Sequence, residues 1–491
     1  MKTPIVKRLA AMFLALGLLA TLPGCKNGRA DRNGIEEIVV TYYVNSTIAN
    51  DLDMVEQAIN AITEPSIGVR VDLQPISLGT YNEQVNLMLS GTERMDLFMI
   101  SGQRFATYAA NGQCIPLNGL LDQYGQGIID AVGPDFLKGG AVDGQIYGVM
   151  PMRDIARGAG FYIRKDYVEK YGLDLSTVRT LADVEPILAA IKDAEPDLYP
   201  LVIERNPTLT PVELTMGKDN LSDGFGVLMY DDPGTVVNYF ATEQYRQGVS
   251  TMRRWYEAGY IPPDVTSHTE SIATQMKAGT GVCYFYMTKT GMDVQESKAC
   301  GHEIVHADIV EPNISTANVQ LLTWGVAAQS KHPEAAVKFL NLLYTDKDVL
   351  NLLDWGLEGR HYVFTEDGHI TYPEGVDAGN SGYNINMSWA FGSQFNSYIW
   401  EGNDLDIWEQ SMAAMSEAPA SDTLGFTFDS RPVRSEVAAL SNVAAEFRLG
   451  LETGAVGMES LSAFISKLEE AGIDAVVAEK QRQLDGWLES G

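Results

Sequence analysis

The stretch that decides the fold begins with IEEIVVTYYV at residues 35–44, whose β-branched and aromatic side chains predict a buried strand. Apolar residues at helical spacing predict a helix over 51–62, and the alternating sequence VRVDL at 69–73 predicts a second strand. A helix is predicted over 81–89, and MDLFMI at 95–100 predicts a third strand. This β-α-β-α-β order with short crossovers is typical of a parallel, doubly wound sheet.

A second block of strands and helices follows the first. Strand-like sequences cover 144–152 and 161–164, and a further strand is predicted over 281–286. We therefore predict an α/β protein with two doubly wound lobes, in which ligand binds at the carboxyl ends of the strands. Apolar periodicity predicts that the end of the chain is helical, over 435–449, 459–471 and 474–488.

The N-terminal residues have the organisation of a secretion signal. Three basic residues precede an apolar run over 9–22, which is too short to span a bilayer comfortably. The run ends in LPGC at 22–25, which resembles a lipobox, although Pro23 stands where Ala, Ser or Thr is usual. An ordinary secretory signal and an uncleaved membrane anchor are the alternatives.

On the lipobox interpretation, residues 1–24 form a lipoprotein signal peptide. Cys25 then becomes a diacylated N-terminus, and two acyl chains suffice for stable anchoring at the membrane. The polar residues 25–34 are predicted to be a flexible tether. We expect the protein to lie at the outer face of the cytoplasmic membrane.

Composition narrows the class of protein. The 491 residues include 35 Lys and Arg against 65 Asp and Glu, and the net charge of −30 disfavours nucleic acid and anionic lipid as partners. The length predicts two or more domains.

Beyond Cys25 an odd number of cysteines remains, so the cysteines do not form a disulfide framework. We predict that these cysteines are buried free thiols, and a disulfide between Cys283 and Cys300 is the alternative.

One motif suggests a metal site and is rejected. HEIVH at 302–306 fits the H-E-x-x-H pattern of zinc proteases, which requires a helix. The segment is rich in β-branched residues and is predicted to be a strand, where the two imidazoles would stand about 13 Å apart.

Nucleotide-binding and nucleophile-elbow patterns are missing from the sequence. We predict no metal, no cofactor and no catalytic residues, with a secreted glycoside hydrolase as the alternative.

Several sequence passages resemble the extracellular solute-binding proteins of family 1, the receptors of carbohydrate ABC importers. They are MDLFMIS at 95–101, GFYIRKDYVEKYGLD at 160–174, TQMKAGTGVCYF at 274–285 and WGVAAQSKHPEAAVKFLNLLYTD at 324–346. Three others resemble a Firmicutes lipoprotein subgroup with a C-terminal domain of unknown function: WGLEGRHYVF at 355–364, GFTFDSRPVRSEVAALSNVAAEF at 425–447 and AGIDAVVAEKQRQLDGW at 471–487.

The resemblance implies a type II periplasmic-binding-protein fold with three hinge crossings. The N-terminal lobe is expected to comprise 35–150 and 327–380. The C-terminal lobe is expected to comprise 151–326 and 381–491, in which 420–491 is a helical, family-specific region. The resemblance also implies a monomer that binds a sugar and passes it to two permease subunits. A solute sensor or adhesin without a transport role is a further alternative.

Aromatic and amide side chains near the strand ends are the candidate ligand-binding residues. Aromatic planes stack on the C–H faces of sugar rings, while amide and guanidinium groups hydrogen-bond their hydroxyls. Trp324 is the strongest single candidate, because it stands where a strand passes the hinge. The complete candidate set is Tyr43, Asn45, Tyr81, Ser101, Gln103, Arg153, Trp324, Asn386 and Trp389.

Overall fold

The computed structural model describes residues 34–45, 49–102 and 104–490. The strands are β1 (Glu36–Val44), β2 (Val69–Ser77), β3 (Leu97–Ser101), β4 (Ala141–Val142), β5 (Gln145–Ile146), β6 (Arg157–Arg164), β7 (Lys218–Asp219), β8 (Val227–Met229), β9 (Asp232–Val237), β10 (Cys283–Thr288), β11 (Ile304–Asn313), β12 (Leu322–Val326), β13 (Val363–Phe364) and β14 (Ile370–Thr371).

The α-helices connect these strands and form the end of the chain. They are α1 (Leu52–Ile67), α2 (Leu78–Ser90), α3 (Arg104–Ala110), α4 (Asn118–Tyr124), α5 (Gln126–Leu137), α6 (Lys165–Tyr171), α7 (Leu181–Ala194), α8 (Pro211–Thr215), α9 (Glu243–Glu257), α10 (Ile272–Ala278), α11 (Met292–Cys300), α12 (Thr316–Gln320), α13 (Pro333–Thr345), α14 (Lys347–Trp355), α15 (Ile407–Glu417), α16 (Arg434–Glu452), α17 (Glu459–Glu470) and α18 (Ile473–Ser490).

The first sheet has the strand order β12-β3-β1-β2. β1 pairs in parallel with β2 and β3, so the predicted β-α-β-α-β unit is confirmed. β12 returns from far along the chain and pairs antiparallel with β3, with Trp324 opposite Met99. This sheet lies in a hydrophobic cluster that includes Ile38, Val40 and Leu97.

The second sheet has the order β10-β6-β11 and is antiparallel throughout. The prediction that the second lobe is also a doubly wound parallel sheet is therefore wrong. The chain enters β6 just after crossing from the first sheet, whereas β10 and β11 both run back toward that crossing. The spacing of apolar residues predicted that each segment is a strand, but it does not show whether the strand runs parallel or antiparallel to its neighbours.

Two large hydrophobic clusters divide the chain. The first draws on residues between 38 and 156 and between 314 and 391, and the second on residues between 161 and 307 and between 426 and 484. Tyr383, Met387 and Phe391 pack in the first cluster, although 381–491 was expected in the C-terminal lobe. The segment just before α15 therefore packs with the sheet that contains β1.

The helical end of the chain is built into the second cluster. The first residues of α16, α17 and α18 lie within one or two residues of the predicted helix starts. Leu440, Leu451, Phe464 and Leu484 from these helices are buried together with residues of α9. In the described ranges, no helix is both long enough and apolar enough to cross a membrane.

Candidate functional site

The chain crosses between the two clusters at three places, which together form the hinge. The first crossing lies between 152 and 157, and the second follows β11. The third lies beyond α15, where Ala420 bridges to Ile314 of the second crossing. Met152 bridges in parallel to Ser393, so the segment before α15 also reaches the hinge.

Aromatic side chains gather at the carboxyl end of β1, beside this hinge. The rings of Tyr43 and Trp389 have centroids 6.4 Å apart, and Tyr81 meets Tyr43 edge-on at 5.4 Å. Tyr43 is 7% exposed and Trp389 is half-buried. Loss of solvent raises the pKa of Tyr43 to about 12, an effect that nearby Arg153 partly offsets.

Arg153 lies at the first crossing and is 1% exposed. Its Nη2 donates to the carbonyl oxygen of Asn318 at 2.6 Å. Its Nε and Nη1 find no hydrogen-bond partner among the described residues. Burial, together with the neighbouring Arg157, lowers the pKa of Arg153 to about 9. Unpaired buried donors of this kind cost stability unless a ligand or water accepts their hydrogen bonds.

Three further charged residues surround Arg153. Asp154 accepts a long hydrogen bond of 3.4 Å from Ser411 on α15, and its Oδ1 has no partner within the described ranges. Burial raises the pKa of Asp154 and lowers the pKa of Arg157 and Lys289. We call Tyr43, Arg153, Asp154, Arg157, Lys289 and Trp389 the hinge site.

The hinge site has the composition that a sugar requires. Aromatic rings offer flat apolar faces, and the guanidinium groups and Lys289 offer hydrogen-bond donors to hydroxyl or carboxylate oxygens. Asp154, Arg157 and Lys289 were not predicted from the sequence. A signal was present, since Arg153, Asp154 and Arg157 form a charged run inside an otherwise apolar passage.

The structure brings together only part of the predicted ligand-binding set. Tyr43, Arg153 and Trp389 meet at the hinge. Tyr81 lies behind Tyr43 in the core, since it is 1% exposed and its hydroxyl donates to the carbonyl oxygen of Met99 at 2.8 Å. It supports the ring of Tyr43 from behind, although it was predicted as a ligand-binding residue.

The other predicted residues are scattered. Asn45 and Asn386 are exposed, and Gln103 lies outside the described residues. Ser101 lines a separate groove of about 2100 Å³ between α3, α5 and the segment that precedes α16. None of the six hinge-site residues lines that groove.

Trp324 is placed in the core, which corrects its interpretation as a stacking residue. Its side chain has no exposed surface, and its indole N–H donates to the carbonyl oxygen of Ala390 at 2.8 Å. The ring of Phe391 packs against it at a centroid distance of 6.1 Å. The residue does stand beside the hinge, but the segment before α15 covers it completely.

The HEIVH segment is not a helix: its last three residues begin β11 at Ile304, and His302 and Glu303 precede the strand. His306 interacts with Asp293 on α11 and with Asp308, and its ring stacks on Tyr162. Glu303 pairs instead with Lys165. The cysteines Cys114, Cys283 and Cys300 are buried and free, so the disulfide that was left open does not form.

Comparison with known protein families gives two matches. Residues 57–356 match the family model described as bacterial extracellular solute-binding protein. Residues 422–489 match a domain of unknown function, DUF3502.

Similar proteins occur in Streptococcus pneumoniae and Bacillus subtilis. The chain is 27% identical to a carbohydrate ABC transporter substrate-binding protein of Streptococcus pneumoniae, over 98% of this chain and 97% of the relative. It is 26% identical to the polygalacturonan/rhamnogalacturonan-binding protein YtcQ of Bacillus subtilis, over 48% of this chain and 49% of the relative.

A solved structure extends the similarity to the fold. The N-glycan transport solute binding protein of Streptococcus pneumoniae superposes with a TM-score of 0.81 and 25% sequence identity, over 92% of this chain and 99% of that chain. A structure of that protein in complex with Man5GlcNAc superposes with a TM-score of 0.71.

Proposed function

The chain belongs to the bacterial extracellular solute-binding proteins, and from that premise we propose that it is the carbohydrate receptor of an ABC importer. The observation that carries the proposal is the hinge site, where buried Arg153 has unpaired N–H donors and acts electrostatically on Tyr43, whose ring lies 6.4 Å from that of Trp389. The similarity to a carbohydrate receptor and an N-glycan receptor supports a sugar as ligand.

In the proposed mechanism, the sugar bridges the two lobes and no bond is broken. Ligand contacts made on both sides of the hinge favour the closed form, because a ligand shifts a conformational equilibrium toward the state it binds better. Two permease subunits would then recognise the closed form. We propose further that the protein acts as a monomer held at the outer face of the membrane by lipid on Cys25.

A thermal-shift screen against a library of oligosaccharides tests the proposal. A ligand present at 1,000 times its Kd should stabilise the folded protein by about 4 kcal/mol. Analysis of each stabilising sugar after incubation should recover it unchanged. Release of smaller products would support the glycoside hydrolase alternative, and the absence of permease genes beside this gene would support a sensor or adhesin.

Trp389→Ala tests the placement of the site once a sugar has been identified. Because aromatic stacking supplies part of the affinity, we expect the variant to bind at least about tenfold more weakly by calorimetry. Trp400→Ala is a matched control, since Trp400 is also half-buried but stacks on Trp355 in a separate small cluster. Equal losses in both variants would argue against the hinge site.

A further inference from the structure

The hinge site carries a surplus of positive charge in a chain whose net charge is −30. Burial is the main cause that lowers the pKa of Arg153 and of Lys289, and Arg157 lowers both further, as does Arg153 for Lys289. Within the described ranges, Asp154 is the carboxylate that acts on all three cations. The surplus is therefore local, and it opposes the charge of the molecule as a whole.

The single carboxylate does not neutralise the cations by direct pairing. Asp154 hydrogen-bonds Ser411 through Oδ2, while its Oδ1 is buried without a partner in the described part of the chain. The Nε atoms of Arg153 and Arg157 and the Nη1 of Arg153 are likewise buried and unpartnered there. Buried charges are normally paired, because an unpaired buried ion loses its hydration without compensation.

We propose that the hinge site binds the carboxylate of an acidic carbohydrate, a uronic or sialic acid residue, through Arg153, Arg157 and Lys289. A planar guanidinium group can donate two parallel hydrogen bonds to the two oxygens of a carboxylate. A neutral hydroxyl has a single oxygen and cannot accept such a pair. Tyr43 and Trp389 supply ring faces for the sugar that carries the acid. This inference rests on the proposed receptor function and narrows its substrate class.

The first experiment compares acidic and neutral sugars directly. The purified protein is applied to a glycan array that carries uronate-containing, sialylated and neutral oligosaccharides. Each bound glycan is then titrated by calorimetry beside its methyl ester, which removes the charge and keeps the ring and linkages. We expect the bound glycans to be acidic, and esterification to weaken binding at least about tenfold, as expected for loss of charge-assisted hydrogen bonds.

The outcomes separate this inference from the proposed function. Binding of neutral glycans, or equal affinity for an acid and its ester, overturns the acidic-ligand inference and leaves the receptor function standing. Binding of no glycan on the array counts against both. Affinity for the acid should also fall as salt is raised, whereas affinity for the ester should not.

Lys289→Gln tests whether Lys289 contributes to binding of the acidic glycan. Lys289 is only half-buried, so the variant should fold. We expect it to bind the acidic glycan about tenfold more weakly and the ester unchanged. Without ligand, the melting temperature should stay the same or rise, since burial disfavours the charge of Lys289 more than Asp154 favours it. Lys331→Gln, on an exposed lysine away from the hinge, is the control.

A purely structural role for Lys289 would give the opposite result. The melting temperature of Lys289→Gln would then fall while its affinity for the acidic glycan stayed at the wild-type value, and this would overturn the inference. Arg153→Gln is the second variant, with circular dichroism to establish that it folds. A folded Arg153→Gln that keeps full affinity for the acidic glycan also overturns it.

Discussion

At the scale of single residues, Trp324 and Trp389 have different surroundings although both lie near the hinge. Trp324 has no exposed surface, whereas Trp389 is half-buried next to Tyr43. Their positions in the sequence suggested the same role for both. Their contacts separate them, because the indole N–H of Trp324 already donates to Ala390 and its ring packs on Phe391, whereas Trp389 keeps exposed surface beside Tyr43.

Trp324→Ala should therefore act on stability and not on binding. Removal of a fully buried Trp leaves a cavity, and we expect the free energy of unfolding to fall by about 3–5 kcal/mol. Chemical denaturation of the unliganded protein measures this loss. Calorimetry with an identified sugar, at a temperature where the variant is folded, should give an unchanged affinity; a large loss of affinity with wild-type stability would restore Trp324 as a stacking residue.

His306 predicts a pH-dependent contribution to stability. Hydrogen bonds that His306 donates to Asp293 on α11 and to Asp308 outweigh the opposing effect of burial and raise its pKa from 6.5 to about 9. A raised pKa means that the folded protein binds the proton more tightly than the unfolded chain. The contribution is complete below pH 6.5 and is lost as the pH rises through about 9.

His306→Gln should remove that contribution. The difference in melting temperature between wild type and variant should be largest near pH 6, and it should shrink steadily as the pH is raised toward about 9. Thermal unfolding in a series of buffers measures the difference. A difference that stays constant over the whole range would mean that His306 contributes by packing on Tyr162 alone.

At the scale of elements, α16 is joined to the rest of its lobe by a buried polar network. Arg448 pairs with Glu452 one turn later and with Glu213 on α8, each at 2.7 Å. Glu452 is fully buried and also accepts hydrogen bonds from Thr210 and from Tyr245 on α9. The C-terminal helices are therefore an integral part of the second hydrophobic cluster.

Arg448→Met should destabilise the protein strongly, because it leaves Glu452 buried without its charged partner. We expect the free energy of unfolding to fall by about 3–5 kcal/mol. Arg482→Met is the matched control on α18, where Arg482 is largely exposed and its pair with Glu479 should contribute about 0–1 kcal/mol. Similar losses for both variants in denaturant titrations would contradict a special role for the buried network.

At the scale of the whole molecule, two differently built sheets are joined by three crossings. The first sheet is mainly parallel and the second is antiparallel. Hinge-site residues come from β1, from the first crossing, from the end of β10 and from the segment before α15. Because these parts belong to both sides of the hinge, a ligand held there would couple the position of one lobe to that of the other.

Cys25→Ser tests the proposed attachment of this molecule to the membrane. Cys25 lies outside the described residues, so the prediction depends on the LPGC sequence at 22–25. Without the thiol that accepts the acyl chains, we expect the protein to appear in the medium or to stay unprocessed. Fractionation and mass spectrometry distinguish these states, and a membrane-bound variant of mature size would contradict the lipobox.

The sequence by itself determined the parts of the structure that depend on near neighbours. The β-α-β-α-β unit over 35–100 and the helices after 434 follow from the local spacing of apolar residues, which is the same in the isolated sequence and in the fold. The family could also be recognised from motifs of seven to 23 residues. In each case the information lies within a short stretch of chain.

Only the tertiary structure decided the direction of the second sheet, the enclosure of Trp324 and the convergence of Arg153, Arg157 and Lys289. Each depends on segments far apart in the sequence that meet at the hinge. The same strand pattern fits a parallel or an antiparallel partner, and a tryptophan at a strand end is core or surface according to what covers it. Local periodicity contains neither kind of information, because pairing and burial are properties of the partner as well as of the residue.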